Sequence, residues 1–167
     1  MAAGTANIEY QEITGMSLSN FSDSMTVPYQ QLVPNQKNPY AFNQIWTQRY
    51  GKESASAVHP YAQNMYLRHV DYQKFGFDYL YTDDSKVRAP HQDHIDSNPY
   101  ISDSSAYQDI VDLIKDDKSG TPQFLQLVTM QNHTPYNDWY EDNEFKEANT
   151  STELSGWERD NSDTYAK

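Results

Sequence analysis

The chain contains no cysteine, so disulfide staples and thiolate metal sites are excluded. It also lacks an apolar run near the roughly 20 residues a membrane helix needs. Its first residues lack the basic and then apolar pattern of a secretory leader. A water-soluble stretch is expected, one that a longer membrane-anchored or secreted chain can contain. Basic side chains are scarce: 12 Lys and Arg face 24 Asp and Glu, for a net charge of -12. Such a surface repels polyanions and offers no basic stripe, so no nucleic-acid partner is expected. A phosphate-bearing substrate has to be held by a few local cations or a metal. Walker-type loops, GxSxG elbows and HExxH helices are all missing, as are internal repeats and low-complexity tracts.

What is present suffices for one domain. The 167 residues can bury a core, and 14 tyrosines offset a mean hydropathy of -0.93. Ala6, Tyr10 and Ile13 recur at i, i+4 and i+7, and Gly15 stands where a helix C-cap falls. Residues 16–40 read as loop. Asn38-Pro39 reads as a helix start, with Phe42, Ile45, Trp46 and Arg49 on one face and Gly51 at the end. Residues 54–58 read as a small-residue strand, 63–75 as a helix closed by Gly76, and 77–100 as irregular. A helix capped by Ser102 or Ser105 follows, its apolar stripe formed by Tyr107, Ile110, Val111 and Ile114. Lys115 and Lys118 fall in its last turn. Residues 124–128 read as a buried strand. Residues 137–167 form a polar tail anchored by Trp139, Tyr140 and Trp157, with a helix beginning near Glu153. Helices alternating with buried strands predict an α/β layer on a parallel sheet, where ligands sit beyond the carboxyl ends of the strands.

Several residues are candidates for chemistry. Thr5 opens the first helix. Its hydroxyl is either an N-cap that only stabilises the helix or a nucleophile placed among unpaired N–H groups at the positive end of the dipole. His59 and His133 both follow predicted strands. Each is either an anion ligand or proton carrier, or a loop histidine bonded to backbone. Arg68 can fork onto a phosphate, or form a surface ion pair with one of many acidic partners. His91, Asp93, His94 and Asp96 resemble a metal cluster in composition, but no regular element fixes their geometry, and a solvated loop is the favoured reading. Asp83-Asp84 and Asp116-Asp117 read as solvated charge.

Taken in order, these pieces resemble a known family. Gly4-Thr5-Ala6-Asn7-Ile8-Glu9-Tyr10 through Gly15 is similar to the nucleophile segment of lipoteichoic acid synthase-like enzymes. These are phosphoglycerol transferases of the sulfatase/alkaline phosphatase superfamily. Val58-His59-Pro60-Tyr61, Tyr66-Leu67-Arg68, Tyr72 through Asp78, Ile101-Ser102-Asp103 and Leu127 through Tyr136 follow in that family's order. The resemblance implies a three-layer α/β sandwich with a mostly parallel sheet, present here as a fragment. Residues 1–167 are then the central part of one extracytoplasmic catalytic domain.

The resemblance further implies that Thr5 attacks a phosphatidylglycerol-type phosphodiester and ligates Mn or Mg. It implies that His59, Tyr66, Arg68 and His133 line the headgroup pocket. The donor is then a lipid headgroup or a glycerophosphate polymer, and the parent protein is anchored in a membrane. Two departures stand out. Ala2-Ala3-Gly4 replaces a run of glycines, and no Asp-His pair follows His133. The remaining metal ligands are therefore expected outside this chain, leaving the isolated piece inactive and its open sheet edges prone to self-association. The competing readings are a non-catalytic module that grips a cell-wall carbohydrate through its tyrosines, and an enzyme of the same kind that acts on a sulfate ester or a phosphoethanolamine lipid.

Overall fold

The computed structural model describes residues 4–167; Ala2 and Ala3, in place of the glycine run, lie outside them. Three short parallel strands form the centre: β1 Ala55–Val58, β2 Tyr79–Tyr81 and β3 Phe124–Leu127, in the order β2-β1-β3. Ser56 pairs with Tyr79 on one side and with Leu125 on the other. Side chains alternate across a strand, so Ala55 and Ala57 face one layer while Ser56 faces the other.

The first layer is built on helix α1, Thr5–Thr14, whose Ala6, Tyr10 and Ile13 are buried as their spacing predicts. They join Tyr29, Val33, Tyr72, Phe75, Ala55 and Ala57 in the main hydrophobic cluster. Tyr29 comes from α2, Pro28–Gln31, inside the stretch predicted to be loop. Helix α3, Phe42–Tyr50, starts after Ala41, three residues beyond the predicted Asn38-Pro39 start. Its buried residue is Asn43, which donates to the Phe75 carbonyl at 2.8 Å, while Phe42 and Ile45 stay exposed. Helix α4, Arg68–Phe75, is shorter than the predicted 63–75 because Tyr66 and Leu67 both adopt positive φ, 55° and 63°. Gly76 caps it in the left-handed region, as predicted.

The second layer is α5, Asp103–Asp116, N-capped by Ser102. Here the predicted apolar stripe is on the wrong side. Ser105, Ala106 and Asp109 are buried, while Tyr107 and Ile114 are about 60% exposed, at 60% and 58%. Small residues let the helix approach the sheet, while Tyr107, Val111 and Ile114 are exposed and Ile110 stays half-buried. Lys115 lies in the last turn, but Lys118 lies beyond the end of the helix.

Two further differences concern strands. Residues 77–100 contain β2, and β3 is half-buried rather than buried, since no described strand covers its outer edge. The tail folds into α6, Glu144–Ala148, and α7, Gly156–Ala166, the latter opened by a Ser155–Glu158 capping box. Tyr140 is an anchor, as expected; Trp157 is not, being 74% exposed. No helix among the described residues is long and apolar enough to cross a membrane.

Candidate active site

A cavity of about 360 Å³ opens where β3 ends, between the N-terminus of α1, the turn before α4 and the loop after β3. Thr5, Tyr66, Arg68 and His133 all line it. Four of the five candidates are therefore brought together from positions 5 to 133, at the carboxyl end of a parallel sheet.

Thr5 is the first residue of α1, and Gly4 is its N-cap; the cap makes no side-chain hydrogen bond. Thr5 is exposed and sits one position inside the helix, so it does not do the work of an N-cap threonine. Its hydroxyl has no protein partner among the described residues and stands beside the positive end of α1.

His133 is positioned by its neighbours. Its Nδ1–H donates to the Thr134 carbonyl at 2.6 Å, and the Tyr100 hydroxyl donates to the same oxygen at 2.7 Å. The Tyr100 ring packs edge-on against the imidazole, with centroids 5.6 Å apart. These partners assign the proton to Nδ1 and leave Nε2 free.

His59 is placed differently. It follows β1 directly, as predicted, but it is wholly buried and is not part of the cavity wall. Its Nδ1–H donates to the Val128 carbonyl at 3.1 Å, and its Nε2 accepts from Arg68 Nη1 at 3.3 Å. Burial, reinforced by the Arg68 charge, lowers its pKa from 6.5 to about 3. His59 is thus a neutral prop behind Arg68.

Arg68 is 1% exposed, and its partners can be counted. Its Nε donates to Glu9 Oε2 at 3.0 Å and Nη2 donates to Glu9 Oε1. Nη1 donates to His59 Nε2 and to the Met65 carbonyl at 3.2 Å. Of five N–H groups, one on Nη2 remains. Burial pulls the Arg68 pKa down, but the bonds and charge of Glu9 outweigh it and hold the group above its ordinary value. The pair is a buried, bidentate bridge to α1, not the surface ion pair weighed against a phosphate fork. Tyr72 closes the network by donating its hydroxyl to Glu9 Oε2 at 3.0 Å.

Sequence reasoning missed Glu9 and Tyr72. Glu9 follows Thr5 by one helical turn on the face that carries Ala6 and Ile13. A carboxylate among buried apolar positions was the available signal.

Tyr66 contributes its ring above Arg68, with the guanidinium carbon 5.4 Å from the centroid. The left-handed backbone at Tyr66 and Leu67 costs about 1–3 kcal/mol per residue. It turns the chain so that Tyr66 and Arg68 reach the cavity together.

The other suggested cluster does not assemble. His91 Nε2 bonds Asp112 Oδ2 at 2.7 Å, His94 Nδ1–H donates to the Asn98 carbonyl at 3.0 Å, and Asp96 accepts from the Glu141 N–H at 2.9 Å. His91 and Asp96 pin the loop to α5 and the tail and His94 braces it internally, so it is tied down rather than freely solvated. Asp84 likewise accepts from the Gln63 N–H at 2.8 Å. No three His, Asp or Glu side chains among the described residues converge as a metal site. Thr5 offers one oxygen, and Glu9 is taken by Arg68 and Tyr72. The described residues therefore do not make a divalent-cation site by themselves.

A second cavity, about 330 Å³, lies between α5 and the opposite face of the sheet, lined by Ser56, Tyr79, Asp109 and Asp112 among others. It lacks a nucleophile poised beside a base.

Comparison with known proteins adds an independent view. The sequence model of the family described as Sulfatase matches residues 1–167. A putative cyclic beta-1,2-glucan modification protein of Rhizobium meliloti (strain 1021) is 30% identical over 132 residues, 79% of this chain and 19% of that protein. Among solved structures, the Streptococcus pyogenes phosphoglycerol transferase GacH in complex with sn-glycerol-1-phosphate superposes with a TM-score of 0.69 at 23% identity. The match covers 98% of this chain and 41% of that one. The lipoteichoic acid synthase LtaP from Listeria monocytogenes gives a TM-score of 0.65 at 18% identity, covering 99% of this chain and 38% of that one. The parallel α/β architecture is the fold of these structures. The chain spans about a fifth of the matched relative's length and about two fifths of the structures' lengths.

Proposed function

The chain belongs to the sulfatase family, and from that premise we propose that it is the nucleophile-bearing part of a phosphoglycerol transferase or related phosphodiesterase. The observation that carries the reading is the shared cavity. Its wall brings together a hydroxyl at a helix N-terminus with no partner among the described residues, an imidazole with a free Nε2 and a buried arginine with one N–H left over.

In this reading Thr5 Oγ attacks the phosphorus of a glycerophosphodiester. The new P–O bond forms as the bond to the lipid alcohol breaks, leaving a glycerophospho-threonine. His133 Nε2 takes the hydroxyl proton and returns it to the departing alcohol oxygen. The N–H groups at the start of α1 and the free Nη2–H of Arg68 face the phosphoryl oxygens. Tyr66 packs on the glycerol. His59 supports Arg68 from behind.

The donor is a phosphatidylglycerol-like headgroup, and the glycerol phosphate bound to the streptococcal transferase supports a ligand of that type. The name of the rhizobial relative supports a glucan-type acceptor. A net charge of -12 favours such a neutral acceptor over a growing polyanion. The whole protein would work at the extracytoplasmic face of a membrane. Its cofactor would be Mn or Mg, with Thr5 as one ligand; the described residues supply no other ligands for it, and we expect the isolated chain to be inactive.

The test compares turnover of phosphatidylglycerol with that of an aryl sulfate by the whole protein and its Thr5→Ala variant. Threonine-dependent release of diacylglycerol supports the reading. Faster turnover of the sulfate ester, or phosphodiester turnover that survives Thr5→Ala, overturns it.

A further inference from the structure

The Glu9–Arg68 pair has a consequence for the cavity itself. A buried arginine facing a phosphate site would ordinarily present its planar fork and full charge to the anion. Here the fork is turned away. Glu9 takes Nε and one Nη2 hydrogen, and His59 and the Met65 carbonyl take both Nη1 hydrogens, so that one Nη2–H is left without a partner among the described residues, on a side chain that lines the cavity. Glu9 also cancels the guanidinium charge at contact distance, in surroundings where both side chains are almost wholly buried. Tyr72 holds the carboxylate in place from the other side.

We infer that Glu9 is a positioning residue that holds Arg68 back, so that a phosphate in the Thr5 cavity meets a single N–H and a compensated charge instead of an open fork. This rests on reading that cavity as a phosphate-ester site. The benefit is catalytic. Tight binding of the ground-state phosphate would not lower the barrier, and it would slow release of the glycerophosphorylated acceptor. A guanidinium on α4 locked to Glu9 of α1 also stays in fixed register with Thr5, which lies one turn before Glu9 on α1.

The experiment is a pair of titrations. Inorganic phosphate and sn-glycerol-1-phosphate are titrated calorimetrically into the wild-type protein, Glu9→Gln, and Glu9→Gln combined with Arg68→Ala. Turnover is followed in parallel. Glutamine keeps the shape of Glu9 but loses its charge, which frees Arg68 for the anion. The expected result is phosphate binding about tenfold tighter in Glu9→Gln, with kcat lowered about 100-fold and the affinity gain abolished by Arg68→Ala. A purely structural role would lower the active fraction without tightening any ligand.

The inference is overturned if Glu9→Gln binds phosphate no more tightly than wild type, or if the gain survives loss of Arg68. If Glu9→Gln melts before titration, Tyr72→Phe replaces it. That variant removes one bond to Glu9 and should tighten phosphate binding by a smaller factor; no tightening again overturns the inference. A whole wild-type protein that turns over no phosphodiester defeats the proposed function, while the inorganic phosphate comparison still decides the role of Glu9.

Discussion

Arg68 Nη1 donates to His59 Nε2 across 3.3 Å, and His59 passes the restraint on to the Val128 carbonyl. The contact ties the start of α4 to the ends of β1 and β3. It also requires a neutral imidazole, because a protonated Nε2 would meet a guanidinium donor with a donor of its own.

The first prediction follows from that protonation state. His59 titrates near 6.5 when unfolded and near 3 when folded. The unfolded state therefore binds the extra proton between those values, and the contribution of His59 to stability is lost as pH falls from about 6.5 towards 3. Urea unfolding at intervals across that window should show stability falling with acidity, and His59→Asn should reduce that slope.

Asp71 predicts the opposite slope. It is buried with no partner among the described residues for either carboxylate oxygen, and burial raises its pKa from 3.8 to about 8. The folded state keeps a proton that the unfolded state has lost, so this contribution is complete below about 3.8 and lost as pH rises through 8. Asp71→Asn should remove the decline and raise the melting temperature at pH 8 relative to wild type.

Thr5→Ala separates chemistry from helix stability. Because Gly4 is the cap and Thr5 is exposed, unfolding should shift by less than about 0.5 kcal/mol. Turnover by the whole protein should drop more than about 1,000-fold. A stability loss of about 1 kcal/mol with activity intact would restore the capping role instead.

Breaking the Glu9 bridge outright should be costly. Glu9→Ala leaves a buried guanidinium without its carboxylate and should destabilise the protein by about 3–5 kcal/mol. Tyr72→Phe removes one charge-assisted bond and should cost about 1.5–3 kcal/mol. Chemical denaturation of both variants checks the order.

Tyr100→Phe probes the seat of His133. Loss of the hydroxyl that shares the Thr134 carbonyl should cost about 1 kcal/mol in stability. It should lower kcat about tenfold while KM stays within about twofold.

Much of this arrangement is legible in the chain, and the exceptions have physical causes. The Ala6-Tyr10-Ile13 spacing predicts α1, and Gly15 and Gly76 predict two helix ends, because left-handed caps favour glycine. Small-residue and apolar runs ahead of His59 and His133 place both histidines beyond parallel strands. The Glu9–Arg68 bridge joins residues 59 positions apart, and no local pattern pairs one glutamate among many with one arginine. The stripe on α5 is misassigned because periodicity shows that a helix is two-sided, not which side meets the sheet. Ser105, Ala106 and Asp109 fit closer to the strands than Tyr107 and Ile114 could. β2 escapes notice because its three residues are too few to show alternation.

The most direct measurement is intact-protein and peptide mass spectrometry of the whole protein after brief exposure to phosphatidylglycerol, followed by acid quench. The account predicts one added glycerophosphoryl group on the peptide that carries Thr5, and no such adduct in Thr5→Ala. Turnover without that adduct, or the adduct on any other residue, would contradict it.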